Sequence, residues 1–530
     1  MRSFHLPGRS MAYGANGMCA SSTPASTLAA IDVLRRGGNA VDAAVTASAV
    51  LLVSEPHMTG IGGDCFALIG RKDGSITGLN ASGPAAKGAD QDWLSSSGLT
   101  KIGGDSVHSV TVPGAIDGWD RLLKDHGTIG LGEALAPAIE LAEAGSVITP
   151  RLGHDWATQV DKLAANDGAS LHYLKEGRAP KTGETMTYPS LARTLKCLAD
   201  KGRDAFYQGE IAEDMVTYLR SCGSLLTLED FAATKADYVD PISTLYQDRE
   251  VLEIPPSGQG IVALAMLNIL SRLDIARYAP DSLERYHLQA EASRLAFELR
   301  SRYVADPDLA DVPVEHILSM DLADKLAARI DLKTAIPDIA EAAGPRFSDT
   351  IYLTVVDRDR TAVSFINSVY GLFGVGMATP NTGIMFHNRG SCFVAESGHP
   401  NCIAPRKRPM HTIIPSMVRQ EGRVVMPFGV MGGDYQPMGH AQVMVNMFNY
   451  GMDIQEALDF PRFFPDPYTG VVGLEQGVPE AVAAGLADLG HTVERSPAPW
   501  GGGQGIVIDW DQGILVGGSD PRKDGMALGY

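Results

Sequence analysis

The hydroxyl of Thr350 is the first group to weigh. Asp349-Thr350 opens the run Thr350-Ile-Tyr-Leu-Thr-Val-Val-Asp357, a strand-like stretch. A second apolar stretch, Thr361 to Val369, follows the charged turn Arg358-Asp359-Arg360. Then come the Gly-rich Gly371-Leu-Phe-Gly-Val-Gly376 and Thr382-Gly-Ile-Met-Phe-His-Asn-Arg-Gly390. A neutral threonine hydroxyl is a weak nucleophile and needs a base within hydrogen-bond reach. Read from these residues alone, a threonine at the start of a strand is ordinary. Other chemistries lack their patterns. The thirteen histidines are scattered, with no H-E-x-x-H and no Cys/His cluster, so neither metal nor cofactor is expected. A G-x-S-x-G elbow is absent, which argues against an α/β-hydrolase serine. Gly501-Gly-Gly-Gln-Gly505 precedes a strand, whereas a nucleotide loop follows a strand and opens a helix. Gly371 to Gly376 fails the same test, and these glycines read as turns or close backbone approaches.

The elements that must position any site are partly legible. Thr23-Pro24 reads as an N-cap followed by proline in the first helical turn, and the helix runs through Leu28, Ile31 and Leu34 to Gly37-Gly38. Asn39 caps a second, apolar helix, Ala40 to Val53, and the resulting αα-hairpin needs a sheet or other helices to cover it. Met58 to Asp64 is a Gly-rich turn before a strand, Cys65 to Ile69. Ile261 to Leu273 reads as a buried helix and Ala290 to Arg302 as an amphipathic one. Asp331 to Phe347, rich in Ala, Pro and charge, reads as an exposed linker. After Thr350 the pattern turns to strands, with Arg423 to Met426 and Ile506 to Ile508 among them. Asp453-Ile-Gln-Glu456 is a capping box.

Length and charge set the outer bounds. A chain of 530 residues holds several ordinary domains or one large intertwined α/β unit. The net charge of −19 argues against nucleic acid or an anionic membrane as partner. Six cysteines without C-x-x-C spacing do not look like a disulfide framework. Met1-Arg-Ser-Phe-His-Leu-Pro-Gly-Arg9 has no apolar signal region, and Ala40 to Val53 is too short to span a bilayer, so a cytoplasmic location is expected.

A longer pattern changes the weight of Thr350. Gly17-Met-Cys-Ala-Ser21, Gly37-Gly-Asn-Ala-Val-Asp-Ala43, Gly60-Ile-Gly-Gly63 and Val110-Thr-Val-Pro-Gly114 occur in this order. They are followed by Leu226-Thr-Leu-Glu-Asp230, Pro255-Pro-Ser-Gly258, Met431-Gly-Gly433 and Gly518-Ser-Asp-Pro-Arg522. With Asp349-Thr350, this arrangement resembles the γ-glutamyltransferase family of N-terminal-nucleophile hydrolases over nearly the whole chain. The resemblance implies a four-layer αββα sandwich of the α/β class. It also implies one precursor cut between Asp349 and Thr350 into residues 1–349 and 350–530, which stay intertwined as one unit. Thr350 would then be the catalytic nucleophile, and its freed α-amine, titrating near ~7.7–8, would be its own base. Gly432 and Gly433 match the family's oxyanion glycines. Ser368 falls on a hydroxyl residue, usually Thr, that hydrogen-bonds the nucleophile.

Substrate recognition departs from the γ-glutamyl branch. The Arg that branch uses for the substrate carboxylate falls here on Asn80, and its amine-binding Asp on Cys392. Its Ser-Ser pair becomes His411-Thr412, and the Asn of its Thr-x-Asn motif becomes Tyr370. Asn388-Arg389-Gly390 and Pro409-Met-His-Thr-Ile-Ile-Pro415 look instead like the oxamate amidohydrolase and acylase-like branch. The resemblance therefore implies hydrolysis of a small, oxamate-like amide by an autoprocessed proenzyme. Arg389 is the candidate carboxylate anchor, with Arg408 in reserve, and Tyr370, His411, Thr412 and Asn80 are expected pocket residues. Three alternatives stay open: a glutathione hydrolase or γ-glutamyl transferase, an acylase on a bulkier amide, and an unprocessed structural homologue. The expected partners are the amide and the two fragments of one precursor, and a homo-oligomer is left open.

Overall fold

Local capping fixes the first elements. In this computed structural model, which describes residues 8–337, 339 and 350–530, Thr23 Oγ1 accepts from Ser26 N at 3.3 Å and opens the helix Pro24–Arg35. Asn39 and Asp42 form a reciprocal capping box at the start of the helix Ala40–Ser54. Every residue of that second helix is buried. Its near-uniform apolar surface has a cause: it lies between a sheet and the helix Leu131–Ala144.

Two seven-stranded sheets face each other. The first has the order Met526–Gly529, Met18–Ser21, Ile351–Val356, Ala362–Ser368, Asp64–Gly70, Ile76–Ala81 and Asp237–Val239, with antiparallel neighbours. The second runs Ala12–Gly14, Ile514–Ser519, Gly502–Asp509, Arg423–Met431, Ser416–Gln420, Arg249–Glu253 and Ile242–Tyr246, also antiparallel. Each sheet thus takes strands from both sides of residue 350. The helices Pro24–Arg35 and Ala40–Ser54 cover the first sheet, and Gly260–Leu270, Gln436–Phe448 and Ile454–Asp459 cover the second. This is the four-layer αββα sandwich.

Packing between the sheets sets the register. Tyr352 turns its ring onto Gly429 of the opposite sheet so closely that a Cβ there would stand 2.4 Å from it. Tyr352 Oη lies 2.7 Å from Ser364 Oγ, which also accepts from Ser416 N at 3.0 Å. A one-residue slip would turn this face away from the second sheet. Tyr352 and Thr350 share strand parity, so the same register aims Thr350 between the sheets.

The sequence expectations mostly find their elements, with shifted ends. The predicted strands appear as Asp64–Gly70, Ile351–Val356, Ala362–Ser368, Arg423–Met431 and Gly502–Asp509, and the buried helix as Gly260–Leu270. The helix expected to be amphipathic over Ala290 to Arg302 is longer, Leu283–Tyr303, and is buried on nearly every side rather than along one face, because neighbouring elements surround it. The expected linker is only partly described, and its described part is tied down: His287 Nε2 donates to Asp331 O, and Ile336 N donates to Glu291 Oε2, both at 2.8 Å. Asp349 lies outside the described residues. All six cysteines are unpaired. Among the described residues no helix is long and apolar enough to cross a membrane.

Candidate active site

Three adjacent strands bring three polar side chains to one end of the first sheet. Ile351 pairs with Asn367, which sets Thr350 beside Ser368, and Ser368 pairs in turn with Asp64. All three are buried. Thr350 Oγ1 lies 3.0 Å from Ser368 Oγ, and Ser368 Oγ also accepts from Tyr370 N at 2.8 Å. Tyr370 has a φ of 76°, a left-handed conformation that costs a non-glycine residue of order 1 kcal/mol. That backbone bend brings its N–H back onto Ser368. Gly63 is required alongside, because a Cβ there would lie 2.2 Å from Ser368 O.

Arg389 lies above this turn. It is fully buried, and its guanidinium carbon stands 4.0 Å from the centre of the Tyr370 ring. Nη1 donates to Thr412 Oγ1 at 2.8 Å and lies 3.9 Å from Cys392 Sγ. Nε and Nη2, the parallel donors along one edge, have no hydrogen-bond partner among the described residues. A buried cation with an unused two-pronged edge matches a carboxylate in geometry and charge.

Asp64 closes the circuit. Its Oδ1 accepts from Gly83 N at 3.1 Å and Gly114 N at 3.2 Å. Its Oδ2 lies 3.2 Å from His411 Nε2, and 3.1 Å from His387 Nδ1 without the alignment of a hydrogen bond. Burial works against the Asp64 carboxylate, but His387 and His411 outweigh it and hold its pKa well below the usual range. His411 Nδ1 accepts from Ile413 N at 3.3 Å, so Nε2 carries the proton donated to Asp64. Burial and the nearby Arg389 charge push the His411 pKa down to about 3, leaving the ring neutral near pH 7.

The opposite wall comes from the second sheet. The strand Arg423–Met431 ends in Gly432 and Gly433, with φ of 130° and 55°, values that favour glycine. A Cβ on Gly432 would also sit 3.0 Å from Gly501 Cα. Gln259, buried just before the helix Gly260–Leu270, ties this turn to the Arg389 side: Nε2 donates to Thr412 O at 2.9 Å and Gly433 O at 3.0 Å. Arg300 donates to Gln259 Oε1 at 2.9 Å and to Asp434 Oδ1. Asp434 Oδ1 also accepts from Tyr468 Oη at 3.2 Å, while Asp434 Oδ2 is buried with no hydrogen-bond partner among the described residues.

Thr350, Ser368, Tyr370, Arg389, His411 and Thr412 therefore form one connected group, and Gln259 links Gly432 and Gly433 to it. Asn80 is at its margin. It pairs with Phe66, whose ring packs on His411 at 4.6 Å, but its Oδ1 is used by Ser82 N and Oγ. Arg408 is spent elsewhere, on Ser82 O, Lys235 O and an ion pair with Asp237. Asp64, Gln259 and Asp434 escaped the sequence reading. Gln259 directly follows the singled-out Pro255-Pro-Ser-Gly258, and Asp434 directly follows Gly433. Adjacency to those motifs was the available signal.

Known proteins resemble this chain over nearly its whole length. Residues 26–530 match the family described as gamma-glutamyltranspeptidase. The Bacillus subtilis protein named glutathione hydrolase-like YwrD proenzyme is 36% identical, over 94% of this chain and 95% of its own length. The oxamate amidohydrolase proenzyme of Klebsiella pneumoniae is 34% identical, over 97% of this chain and 98% of its own. A solved structure, cephalosporin acylase from Bacillus halodurans, superposes with a TM-score of 0.93 at 37% identity, covering 100% of this chain and 99% of that one.

Proposed function

Because this chain belongs to the gamma-glutamyltranspeptidase family, whose similar members are named as proenzymes, we propose that it is an autoprocessed amidohydrolase acting on a small amide that bears a carboxylate. Thr350 is the nucleophile, and Arg389 is the carboxylate anchor. The observation that carries this reading is the Thr350–Ser368 hydroxyl pair at 3.0 Å, joined through Tyr370 to a buried arginine whose Nε and Nη2 have no hydrogen-bond partner among the described residues.

The chemistry runs in two stages. In the precursor, Thr350 Oγ adds to the carbonyl carbon of residue 349, the peptide C–N bond breaks, and the α-amine of Thr350 is released. Water then hydrolyses the ester to leave two chains. In the mature enzyme that amine takes the Thr350 hydroxyl proton as Oγ attacks the substrate amide. The proton passes to the departing nitrogen, and water hydrolyses the acyl-enzyme. Donors at the Gly432–Gly433 turn that meet the developing oxyanion supply a few kcal/mol, by analogy with other oxyanion holes. Ser368 orients the nucleophile, and the bidentate edge of Arg389 sets which end of the substrate enters.

A second reading has its own observation. The unpartnered Asp434 Oδ2 offers an acceptor for an ammonium. With Arg389 it would suit an acyl group carrying both charges, as a γ-glutamyl amide does. Turnover of oxamate, glutathione and a γ-glutamyl anilide by the same processed protein separates the two. The shared premise is tested first. A denaturing gel should show two fragments, with the smaller beginning Thr-Ile-Tyr-Leu, and Thr350→Ala should stay one chain. Two fragments from Thr350→Ala would remove Thr350 from the mechanism.

A further inference from the structure

Outside the active site, one buried cluster has the composition of a metal centre. His287 and Glu291 stand four residues apart on the helix Leu283–Tyr303, which puts them on one face. His491, just after the helix Glu480–Asp488, closes over them. His287 Nδ1 is 2.8 Å from His491 Nε2, and His491 Nε2 is 3.8 Å from Glu291 Oε1. One donor atom from each residue lies within 4.8 Å of the others, and all three residues are buried.

The outer contacts have the form that orients metal ligands. His287 Nε2 donates to Asp331 O at 2.8 Å, which fixes the tautomer and leaves the Nδ1 lone pair facing His491. Glu291 Oε1 accepts from Arg294 at 2.7 Å and Oε2 from Ile336 N at 2.8 Å. Metal-bound imidazoles and carboxylates are held by such carbonyl and N–H partners.

We propose that His287 Nδ1, Glu291 Oε1 and His491 Nε2 bind a divalent cation of the zinc class. Two imidazoles and one carboxylate suit Zn²⁺, whereas Mg²⁺ and Ca²⁺ select oxygen ligands. Tetrahedral Zn²⁺ with N at ~2.0–2.1 Å sets the two nitrogens about 3.3 Å apart, so the rings need to part by only about half an ångström. In the present arrangement His491 Nε2–H donates to His287 Nδ1. On binding, that proton moves to His491 Nδ1, so the site forms by a change of tautomer without net loss of a proton. Water fills the fourth position. Arg294 balances the Glu291 charge without the ion, and the cation takes over that role. Sequence scanning misses such a site because His491 is 204 positions from His287.

The ion joins three separate stretches: the helix face at 287 and 291, the strap at 331–336 bonded to it, and the loop at 491. Binding to the folded state alone raises stability with ion concentration. The test uses purified full-length protein stripped with a chelator. Titrated Co²⁺ should give one equivalent of a four-coordinate visible spectrum, Zn²⁺ should abolish it, and Tm should rise with Zn²⁺. His287→Gln and His491→Gln keep hydrogen-bonding side chains. Each should weaken Kd by about 100-fold or more, while circular dichroism stays that of the wild type. Absence of a stoichiometric Co²⁺ spectrum would overturn the proposal, as would binding that survives in the folded double variant. If either glutamine variant fails to fold, paramagnetic ¹H NMR of the wild-type Co²⁺ form decides: it must show the exchangeable ring N–H protons of two bound imidazoles, and their absence would overturn the proposal.

Discussion

Replacing Arg389 with Lys removes a geometry while keeping a charge. The guanidinium holds Thr412 with Nη1, and the proposed substrate carboxylate meets Nε and Nη2, which have no hydrogen-bond partner among the described residues. An ammonium is a single point of attachment, so at least one charged hydrogen bond to the substrate is lost. Such a bond contributes roughly 1.5–3 kcal/mol, which raises KM about 10- to 150-fold at ~1.4 kcal/mol per factor of ten. In oxamate the carboxylate is bonded to the amide carbonyl carbon itself, so a looser grip also misaligns the reacting group, and kcat should fall alongside the KM rise. The assay is steady-state kinetics on the preferred anionic amide and on its neutral carboxamide counterpart, oxamate and oxamide in the leading case. The fraction of processed chain is measured on a gel, so that a maturation defect is not read as a binding defect. The KM rise should appear with the anion and be nearly absent with the neutral amide. An equal rise on both substrates, or wild-type kinetics on both, would refute Arg389 as the anchor.

Asp434→Asn separates the two substrate readings. If an ammonium binds Oδ2, KM for γ-glutamyl amides rises by about tenfold or more, while amides without an amine stay within about twofold. An unchanged γ-glutamyl KM would sink the second reading. Ser368→Ala should slow both self-cleavage and turnover by about three- to tenfold, the worth of one neutral hydrogen bond, and Ser368→Thr should restore both; a change in KM alone would contradict an orienting role. The His411 pKa is depressed from 6.5 to about 3 in the folded state. Its contribution to stability is therefore full above the unfolded pKa of 6.5 and falls as pH drops from about 6.5 toward 3, where the unfolded chain binds the extra proton. Denaturant titrations of His411→Gln across that window should show a slope shallower than wild type by about 1.4 kcal/mol per pH unit; parallel slopes would mean that the ring is not held neutral.

The parts of the fold that read well carry their signal locally. Thr23-Pro24, Asn39 and Asp453 all cap helices where the sequence places them. The strands around Thr350 and Thr361 follow from short apolar runs bounded by turns. The helix Leu283–Tyr303 was legible only from Ala290 onward. Its first two turns bury Arg285, His287 and Gln289, and such polar residues read as surface until distant partners such as Asn446 are known. The candidate site divides in the same way. Residue type alone did not single out Thr350; the order of motifs along the chain did. Arg389 could be named, but its unused edge is a property of packing. Asp64 meets His411 across 347 positions, and Gln259 meets Gly433 across 174, distances over which a lone sequence carries no pairing signal.

The placement of strands on both sides of residue 350 in each sheet has a kinetic corollary. On the proposed cleavage ahead of Thr350, the chain before the cut refolds as one molecule, with its halves held at high effective concentration by covalent connection. Afterwards the native sheets barely register the cut, because the hydrogen-bonded ladders between the halves remain. Loss of structure then frees two diffusing polypeptides, and neither owns a complete sheet. Recovery becomes second order, slower on dilution and exposed to aggregation of unpaired strand edges. Maturation would therefore act as a ratchet: the precursor can repeat its folding, whereas the processed protein relies on a high barrier to unfolding to persist.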